Sequence, residues 1–158
     1  MFYLDRAVTD TNDAAARYIV GSLHMDLSTG YIYRYVQFKD AVTYAAGQVC
    51  SWAVATGLTA VTNDCSGGSS IGAVPAGICT RVMTQNYYGF ILVHGFYATI
   101  KTSGADDIAV GESLIMHAST DGTCDGVAAG STTTASFGVA FAVDTDADNT
   151  VAGSVNLL

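Results

Sequence analysis

The stretch Gly68–Gly72 (GSSIG) is the sequence pattern closest to catalytic chemistry, because it fits the nucleophile elbow G-x-S-x-G. In that elbow a strand precedes the serine and a helix follows it, so that the hydroxyl is exposed on a strained turn. Here a loop rich in Gly, Ser and Asn precedes Ser70, and the β-type residues Ala73–Pro75 follow it. The context therefore predicts a flexible Gly/Ser loop and not a nucleophile.

A second pattern, Asp144–Asp148 (DTDAD), imitates the start of a calcium-binding loop. An EF-hand loop has Gly at its sixth position and Glu at its twelfth, where this chain has Asn149 and Val155. The four cysteines include no C-x-x-C pair and so do not indicate a zinc ribbon. We therefore predict a polar hairpin turn at Asp144–Asn149, no metal site and no cofactor.

The three histidines, His24, His94 and His117, are far apart in the sequence and lack partners at i+2 or i+4. His94 falls in a long apolar strand, where a histidine with a structural role is the more common case. No phosphate-binding glycine loop and no nucleophile with a nearby base is evident. We expect that the chain is not an enzyme. The alternative from that class is an enzyme with an unrecognised site, for instance around His94 or His117.

The element that must organise these residues is Tyr87–Lys101 (YYGFILVHGFYATIK), the longest apolar run, which reads as a strand throughout. Both alternate faces are largely apolar, so we expect cover on both sides. By parity, Phe96 and Ile100 share one face and Tyr97 lies on the other. The run would span roughly 50 Å, too long for one straight strand in a small domain. We therefore predict a bend or bulge at Gly95, in the central strand of a small barrel or sandwich.

The composition indicates a single all-β domain. Half of the 158 residues are hydrophobic, 17 are Gly and one is Pro, and strand-like segments recur at roughly 8 to 12 residues, as in a sandwich or barrel. We predict one β-barrel-like or sandwich domain over residues 17–158 and an N-terminal arm over residues 1–16. Within the domain we predict a hairpin that turns at Ser28–Gly30 and a long polar loop over Gly57–Ser70.

The charge distribution argues against two classes of partner. All six Lys and Arg lie in residues 1–101, whereas residues 102–158 hold eight acidic residues and no base, so the net charge of −8 resides in the last third. Such a surface repels the phosphates of nucleic acid. No segment approaches the ~20 apolar residues that cross a membrane. We therefore expect no nucleic-acid and no membrane partner.

The N-terminal segment bears on the compartment in which the chain is made. Asp5 lies within the first five residues and no apolar core region follows, so we expect no signal peptide. Proteins that are not exported usually keep their cysteines reduced, so we expect buried thiols rather than a disulfide framework. The four cysteines are Cys50, Cys65, Cys79 and Cys124.

Tyrosines cluster in two regions, Tyr31–Tyr44 and Tyr87–Tyr97. Stacked tyrosines can bind sugars or bases, but tyrosine rows on strands are also common in protein interfaces. We interpret both clusters as core or interface. The alternative function from a different class is a fibre or spike module that binds host glycans through Tyr31 and Tyr33.

Four segments resemble the small decoration (cement) proteins of tailed-phage capsids. In Gly21–Cys50 a tyrosine-containing strand follows a D-x-x-x-G turn, and a short apolar stretch and G-Q-V come next. Tyr87–Ile100 is similar to that family's strand G-(aromatic)-x-x-V-x-G-x-x. Asp107–Leu114 (DIAVGESL) is similar to its turn x-V-x-x-G-D-x-L. Gly138–Asp146 (GVAFAVDTD) is similar to its strand G-x-A-x-x-x-D/E before a closing hairpin.

The resemblance implies a structural virion protein with a β-barrel or β-tulip body and no catalysis. It would sit on the outer capsid surface of a virion, after synthesis in the host cytoplasm, and stabilise the head. Its partners would be the major capsid protein and copies of itself, most simply in a homotrimer.

We expect the contacts with capsid or neighbouring subunits at two places. The N-terminal arm would add a strand or hook onto a neighbour, and the second apolar face of the central strand would suit a subunit contact. The expected contact residues are Phe2, Tyr3, Leu4, Arg6, Tyr87, Ile91, Val93 and Tyr97.

Overall fold

The structure is a computed structural model that describes residues 7–39, 43–53, 59–64, 74–104, 107–128, 136–145 and 149–158. It is nearly all β, with 49% strand and 2% helix, which confirms the predicted fold class. In the described ranges the helical content is one 3-10 turn, Val8–Asp10. No helix in those ranges has the length and apolar character that spanning a membrane requires.

The described residues form ten strands, numbered here in chain order: β1 Leu23–Met25, β2 Ile32–Phe38, β3 Val49–Trp52, β4 Ala60–Thr62, β5 Pro75–Cys79, β6 Tyr88–Lys101, β7 Ser113–Met116, β8 Cys124–Val127, β9 Gly138–Ala140 and β10 Thr150–Asn156. Hydrogen bonding joins them in the order β1-β2-β4-β3-β5-β6-β10-β9-β7-β8. The pair β2–β4 is parallel, and the other strand pairs are antiparallel.

A closed five-stranded barrel forms the first half of the molecule, because β6 pairs with β2 as well as with β5. The ring runs through β2, β4, β3, β5 and β6 and returns to β2. This confirms the predicted small barrel body. Inward-facing residues of these strands fill its interior, together with Tyr44 and Met83, which pair with each other outside the strands. We call this set the barrel core: Val36, Phe38, Tyr44, Cys50, Trp52, Val61, Ala76, Cys79, Met83, Ile91 and Val93.

The second half is a sheet that continues from the C-terminal part of β6 through β10, β9 and β7 to β8. Thr102, directly after β6, makes an isolated parallel bridge with Cys124, so this sheet curls back towards its first strand. A second apolar cluster, which we call the outer core, packs this sheet against the barrel wall. Its buried members are Val49, Ile78, Leu92, Ile100, Ile108, Leu114, Met116, Cys124, Phe137, Ala140, Val151 and Val155.

Strand β6 belongs to both halves, and its first part is buried on both faces as predicted. Ile91 and Val93 point into the barrel core, whereas Leu92 points into the outer core. The strand pairs with β2 up to His94 and with β10 from His94 onward. Gly95 follows at φ +138, beneath the ring of Tyr31, so the predicted bend lies where the partner strand changes.

The predicted faces of β6 are wrong in its second part. Tyr97 packs on the same outer core as Leu92 although the two differ in parity, because the register between β2 and β6 shifts between Leu92 and His94. Tyr97 is opposite Gly153 and Ile100 is opposite Val151, with a register shift between the two pairs. The two residues between them, Ala98 and Thr99, are both exposed. This β-bulge turns Ile100 into the outer core, on the same side as Tyr97 and not on the side of Phe96.

Two sequence-based expectations about turns have different outcomes. The hairpin between β1 and β2 turns through Ser28–Gly30, where the Gly30 N–H donates to the Asp26 carbonyl at 2.8 Å. The predicted long loop Gly57–Ser70 is wrong in part, because its residues Ala60–Thr62 form β4. That short strand is buried and bonds to both β2 and β3 in the barrel wall.

Part of the predicted arm is attached to the body. Asp13 and Tyr88 exchange main-chain hydrogen bonds of 2.9 and 2.8 Å, and Thr11 is completely buried. Residues 11–13 therefore lie against the start of β6. The predicted arm contacts, which are Phe2, Tyr3, Leu4 and Arg6, lie outside the described residues.

Candidate binding surfaces

The residues with potential catalytic or metal chemistry are not brought together in the described part of the chain. Gly68–Gly72, including Ser70, and Asp146–Asp148 lie outside the described residues. Asp144 is buried and its main chain pairs with Ile108. Within the described ranges, no three His, Cys, Asp or Glu side chains are grouped so that they could hold a metal ion.

Each histidine has its own surroundings. The ring of His24 lies 6.1 Å from that of Phe90. His94 is exposed, with its Nδ1 3.4 Å from Oδ1 of Asn156. His117 is a turn residue whose Nδ1 accepts hydrogen bonds from the main-chain N–H groups of Ser119 and Thr120, at 3.2 and 2.9 Å. These contacts give each ring a local structural role.

Two of the predicted contact residues are inaccessible to a partner. Ile91 and Val93 are completely buried, because they fill the interior of the closed barrel. The prediction that they contact capsid or subunits is therefore wrong for this fold. Tyr87 and Tyr97 are half-buried and keep part of their surface in solvent. The Tyr97 hydroxyl donates to the Thr80 carbonyl at 3.4 Å.

The tyrosine row of β2 is not an open stacking platform. Tyr35 is completely buried, and its hydroxyl accepts from the Arg17 N–H at 3.1 Å and donates to the Asp13 carboxylate at 3.4 Å. Tyr31 and Tyr33 are half-buried against the outer core. Burial raises the pKa values of Tyr33 and Tyr35 above the usual range. The row acts mainly as packing.

An aromatic pocket lies on the outer wall of the barrel, where residues 17–24 cross β2 and β6. It has a volume of about 180 Å³, and its lining residues are Arg17, Tyr18, Ile19, Ser22, Leu23, His24 and Phe90. The Tyr18 ring stands edge-on to that of Tyr35 at 5.1 Å and lies 5.7 Å from Phe90. The volume suits a single large side chain and is smaller than the usual small-molecule site.

Strand β1 next to this pocket presents large apolar side chains to solvent. Leu23 and Met25 are 48% and 45% exposed, and Ile19 and Leu27 on either side are each 70% exposed. We call these four residues, with the outward main chain of β1, the edge surface. An exposed strand edge with apolar side chains is a template for pairing with another chain.

A second exposed apolar surface lies on the outside of the second half. Phe96 on β6 and Val139 on β9 flank Ser154 of β10 in one cross-strand row, which continues to Ser113 and Val127 without a charged residue. Phe96 and Val139 are 39% and 37% exposed.

Phe141 completes this second surface. Its ring is 57% exposed and stacks with that of Phe96 at a centroid distance of 6.1 Å and an angle of 14°. Phe141 lies one residue beyond β9, and its N–H donates to the Ala152 carbonyl of β10 at 2.8 Å. We call Phe96, Val139 and Phe141 the phenylalanine surface.

Sequence reasoning missed both surfaces for an identifiable reason. Leu23 and Phe141 are apolar residues in strand-like segments, as Ile91 is, and composition does not distinguish an exposed position from a buried one. One available signal for the edge surface was the shortness of the apolar segment before Asp26. Short strands are common at the edges of sheets, where one side remains unpaired.

The described cysteines are buried thiols, which agrees with the prediction for Cys50, Cys79 and Cys124. Cys65 lies outside the described residues. Burial, with the Asp144 carboxylate nearby, raises the pKa of the Cys124 thiol. A buried thiol with a raised pKa is a poor nucleophile, so Cys124 is a packing residue.

The chain matches no protein-family model, and no curated protein is significantly similar to it.

Proposed function

We propose that the protein is a structural virion component, a decoration protein that binds the outer surface of the major capsid protein lattice of a tailed phage and stabilises the head. The observation that carries this proposal is the phenylalanine surface, an uncharged row of exposed apolar side chains on a chain with a net charge of −8. Exposed contiguous apolar side chains mark a protein contact more often than a solvated face. The resemblance of four segments to decoration proteins names the partner.

The architecture suits a binding role that resists force. Strand β6 contributes to two cores at once through Ile91 and Leu92. A force applied to the second half is therefore transmitted through β6 to the closed barrel. A decoration protein that stabilises the head needs a body in which the two halves are firmly connected, because it must hold its contact surface in place. Many copies on one lattice then add their individual affinities.

The test uses heads of the phage that encodes the chain, assembled without it. Purified protein is mixed with these heads, and the bound fraction is measured after pelleting. We expect saturable binding at a fixed ratio to the major capsid protein. Phe141→Ser should weaken binding about ten-fold or more, because it removes an exposed ring of the contact.

Val82→Ser is the matched control, since Val82 is also 57% exposed but follows β5 on the barrel. It should bind as the unchanged protein does. The proposal fails if the unchanged protein does not bind, or if both substitutions weaken binding equally. Circular dichroism of each variant excludes unfolding as the cause.

Glycan binding by a fibre or spike module stays the alternative from another class. Tyr31 and Tyr33 are half-buried in this fold and keep part of their surface in solvent. Sugar binding by the isolated chain, lost on Tyr33→Ala, would favour this alternative.

A further inference from the structure

The outward edge of β1 is a pairing surface without an assigned role. The Tyr35 N–H donates to the Ser22 carbonyl and the Asp26 N–H donates to the Tyr31 carbonyl, so Ser22 and Asp26 face β2. By the alternation of an antiparallel ladder, the main-chain groups of Leu23 and Met25 face away from it. Among the described residues β1 is the terminal strand of the sheet. Its outward edge can therefore accept another strand.

Both faces of this edge are apolar. The side chains of Leu23 and Met25 lie on one face and are about half exposed. His24 lies on the other face, beside Phe90 and the aromatic pocket. A strand added here would meet apolar surface on each of its own faces, so it needs large apolar residues at consecutive positions and not only at alternate ones.

We propose that residues Phe2–Arg6 of a second copy of this chain pair with the edge surface as an added strand. This contact is a β-augmentation, in which main-chain hydrogen bonds give affinity and side-chain pockets give register. Among the stretches outside the described residues, residues 1–6 have a run of three large apolar side chains, Phe2-Tyr3-Leu4. The aromatic pocket, at about 180 Å³, has room for one ring of that run.

The order of the strands favours a second copy over the same molecule. Asp13 pairs with one edge of β6 at Tyr88, β2 pairs with the opposite edge, and β1 lies beyond β2. These three steps separate Asp13 from β1 by roughly 14 Å, and the added strand would lie about 5 Å further. Asp13 thus lies on the far side of β6 from the edge surface.

The chain itself covers the wall between these two places. To reach the edge surface of its own molecule, the arm would have to cross the outer wall where Arg17 and Tyr18 already pack against Tyr35 and Phe90. The arm of a neighbouring copy has no such constraint. Each copy then gives one arm and receives one, a head-to-tail contact that closes into a ring such as a trimer.

This contact between copies would build the oligomer of the proposed decoration protein, but it needs no capsid. It is tested in solution with the full chain, so its failure and the failure of capsid binding are seen separately. The reporter is a disulfide between Leu4→Cys and Met25→Cys, in a chain with Cys65→Ser. The thiols of Cys50, Cys79 and Cys124 are buried and stay out of the exchange.

Mild oxidation should convert the double-cysteine variant into covalent species of two or more chains. A mixture of the two single-cysteine variants, one of them carrying a mass tag, should give the tagged heterodimer. The control pair is Leu4→Cys with Val82→Cys, because Val82 is as exposed as an edge residue but lies elsewhere on the barrel. A disulfide within one chain, or no linkage above this control, overturns the proposal.

A second measurement uses no cysteine. Sedimentation velocity compares the unchanged chain with the variant Phe2→Ser, Leu4→Ser, whose changes fall outside the described residues. The unchanged chain should self-associate, and the variant should do so at least about ten-fold more weakly, as for the loss of about 1.4 kcal/mol. A monomeric unchanged chain at about 100 µM, or equal association of the two, contradicts the proposal.

Discussion

The two halves of the molecule share β6 and use it differently. In the barrel half, Ile91 and Leu92 are buried by two separate cores on opposite faces of the strand. In the second half, Tyr97 and Ile100 face the outer core while Phe96 and Ala98 face solvent. Ile91 and Leu92 are therefore closed to partners, whereas the second half presents Phe96 to solvent. Strand β6 thus supplies both buried core residues and part of an exposed contact surface.

This difference also separates residues that hold the fold from residues that face outward. Leu92 is completely buried, and it lies where the barrel wall meets the second sheet. Phe141 is as apolar, yet more than half of its surface is exposed. The contribution of an apolar residue to stability follows the area that it removes from water. Exposed rings should therefore be dispensable for folding.

Leu92→Ala should give the largest effect. Removing a buried leucine from a close-packed core costs about 2–5 kcal/mol in the free energy of unfolding. Phe141→Ala should change that free energy by about 0.5 kcal/mol or less, as for other exposed positions. Urea unfolding followed by tryptophan fluorescence of Trp52 measures both. Equal losses of unfolding free energy from the two substitutions would mean that the exposed Phe141 supports the fold as much as the buried Leu92 does.

Gly95 joins the two halves and gives the second largest effect. A Cβ at Gly95 would lie 2.7 Å from ring carbons of Tyr31, in a backbone with φ +138. We expect Gly95→Ala to cost about 1–3 kcal/mol, from backbone strain and from displacement of the ring. Thermal unfolding monitored by circular dichroism measures the loss.

The control separates strain from crowding. Gly111 also has a positive φ, +90, but a Cβ there would meet no atom within 4 Å apart from its two chain neighbours, Val110 and Glu112. Gly111→Ala should therefore show only the backbone part of the cost. Adding Tyr31→Ala to Gly95→Ala should recover part of the loss relative to the two single changes, a coupling that Gly111→Ala should lack. If the stability losses of Gly95→Ala and Tyr31→Ala simply add, the ring of Tyr31 is not the cause of the loss at Gly95.

Some features of the fold could be predicted from the sequence and others could not. The run Tyr87–Lys101 and the bend at Gly95 were predictable, because β-branched and aromatic residues define a strand and its length requires a turn. The bulge at Ala98–Thr99 was not, since two ordinary strand residues give no local signal for an inserted position. β4 was missed because Ala60–Thr62 is three residues long within a polar stretch.

The candidate surfaces were even less accessible from sequence. Which apolar residues remain exposed depends on the strand order, and that order is set by contacts between distant segments. Val93 and Phe96 are three residues apart in one strand, but the closed barrel covers Val93 and leaves Phe96 in solvent. The row that joins Phe96 to Val139 exists only once β10 lies between their strands.

The smallest predicted effect concerns two tyrosines, one in each half, of which Tyr35 is buried and Tyr97 half-buried. Tyr35 on the barrel wall and Tyr97 in the second half have pKa values raised above 10.0, mainly by burial. A raised folded-state pKa means that the neutral phenol is favoured in the native state. This preference stabilises the folded protein in full below pH 10, and the stabilisation is lost as the pH rises from there through the folded-state pKa.

Tyr35→Phe should therefore change stability little at pH 7, by about 1 kcal/mol for its hydrogen bonds to Arg17 and Asp13. Above pH 10 its stability should fall less steeply than that of the unchanged chain, because one group that titrates on unfolding is gone. Tyr97→Phe is the matched change in the second half and should flatten the alkaline slope as well. Melting temperatures between pH 8 and about 11.5 measure both slopes. If only Tyr35→Phe flattens the slope, solvent reaches the outer core more freely than the barrel wall, and the two halves differ in permeability as well as in exposed surface.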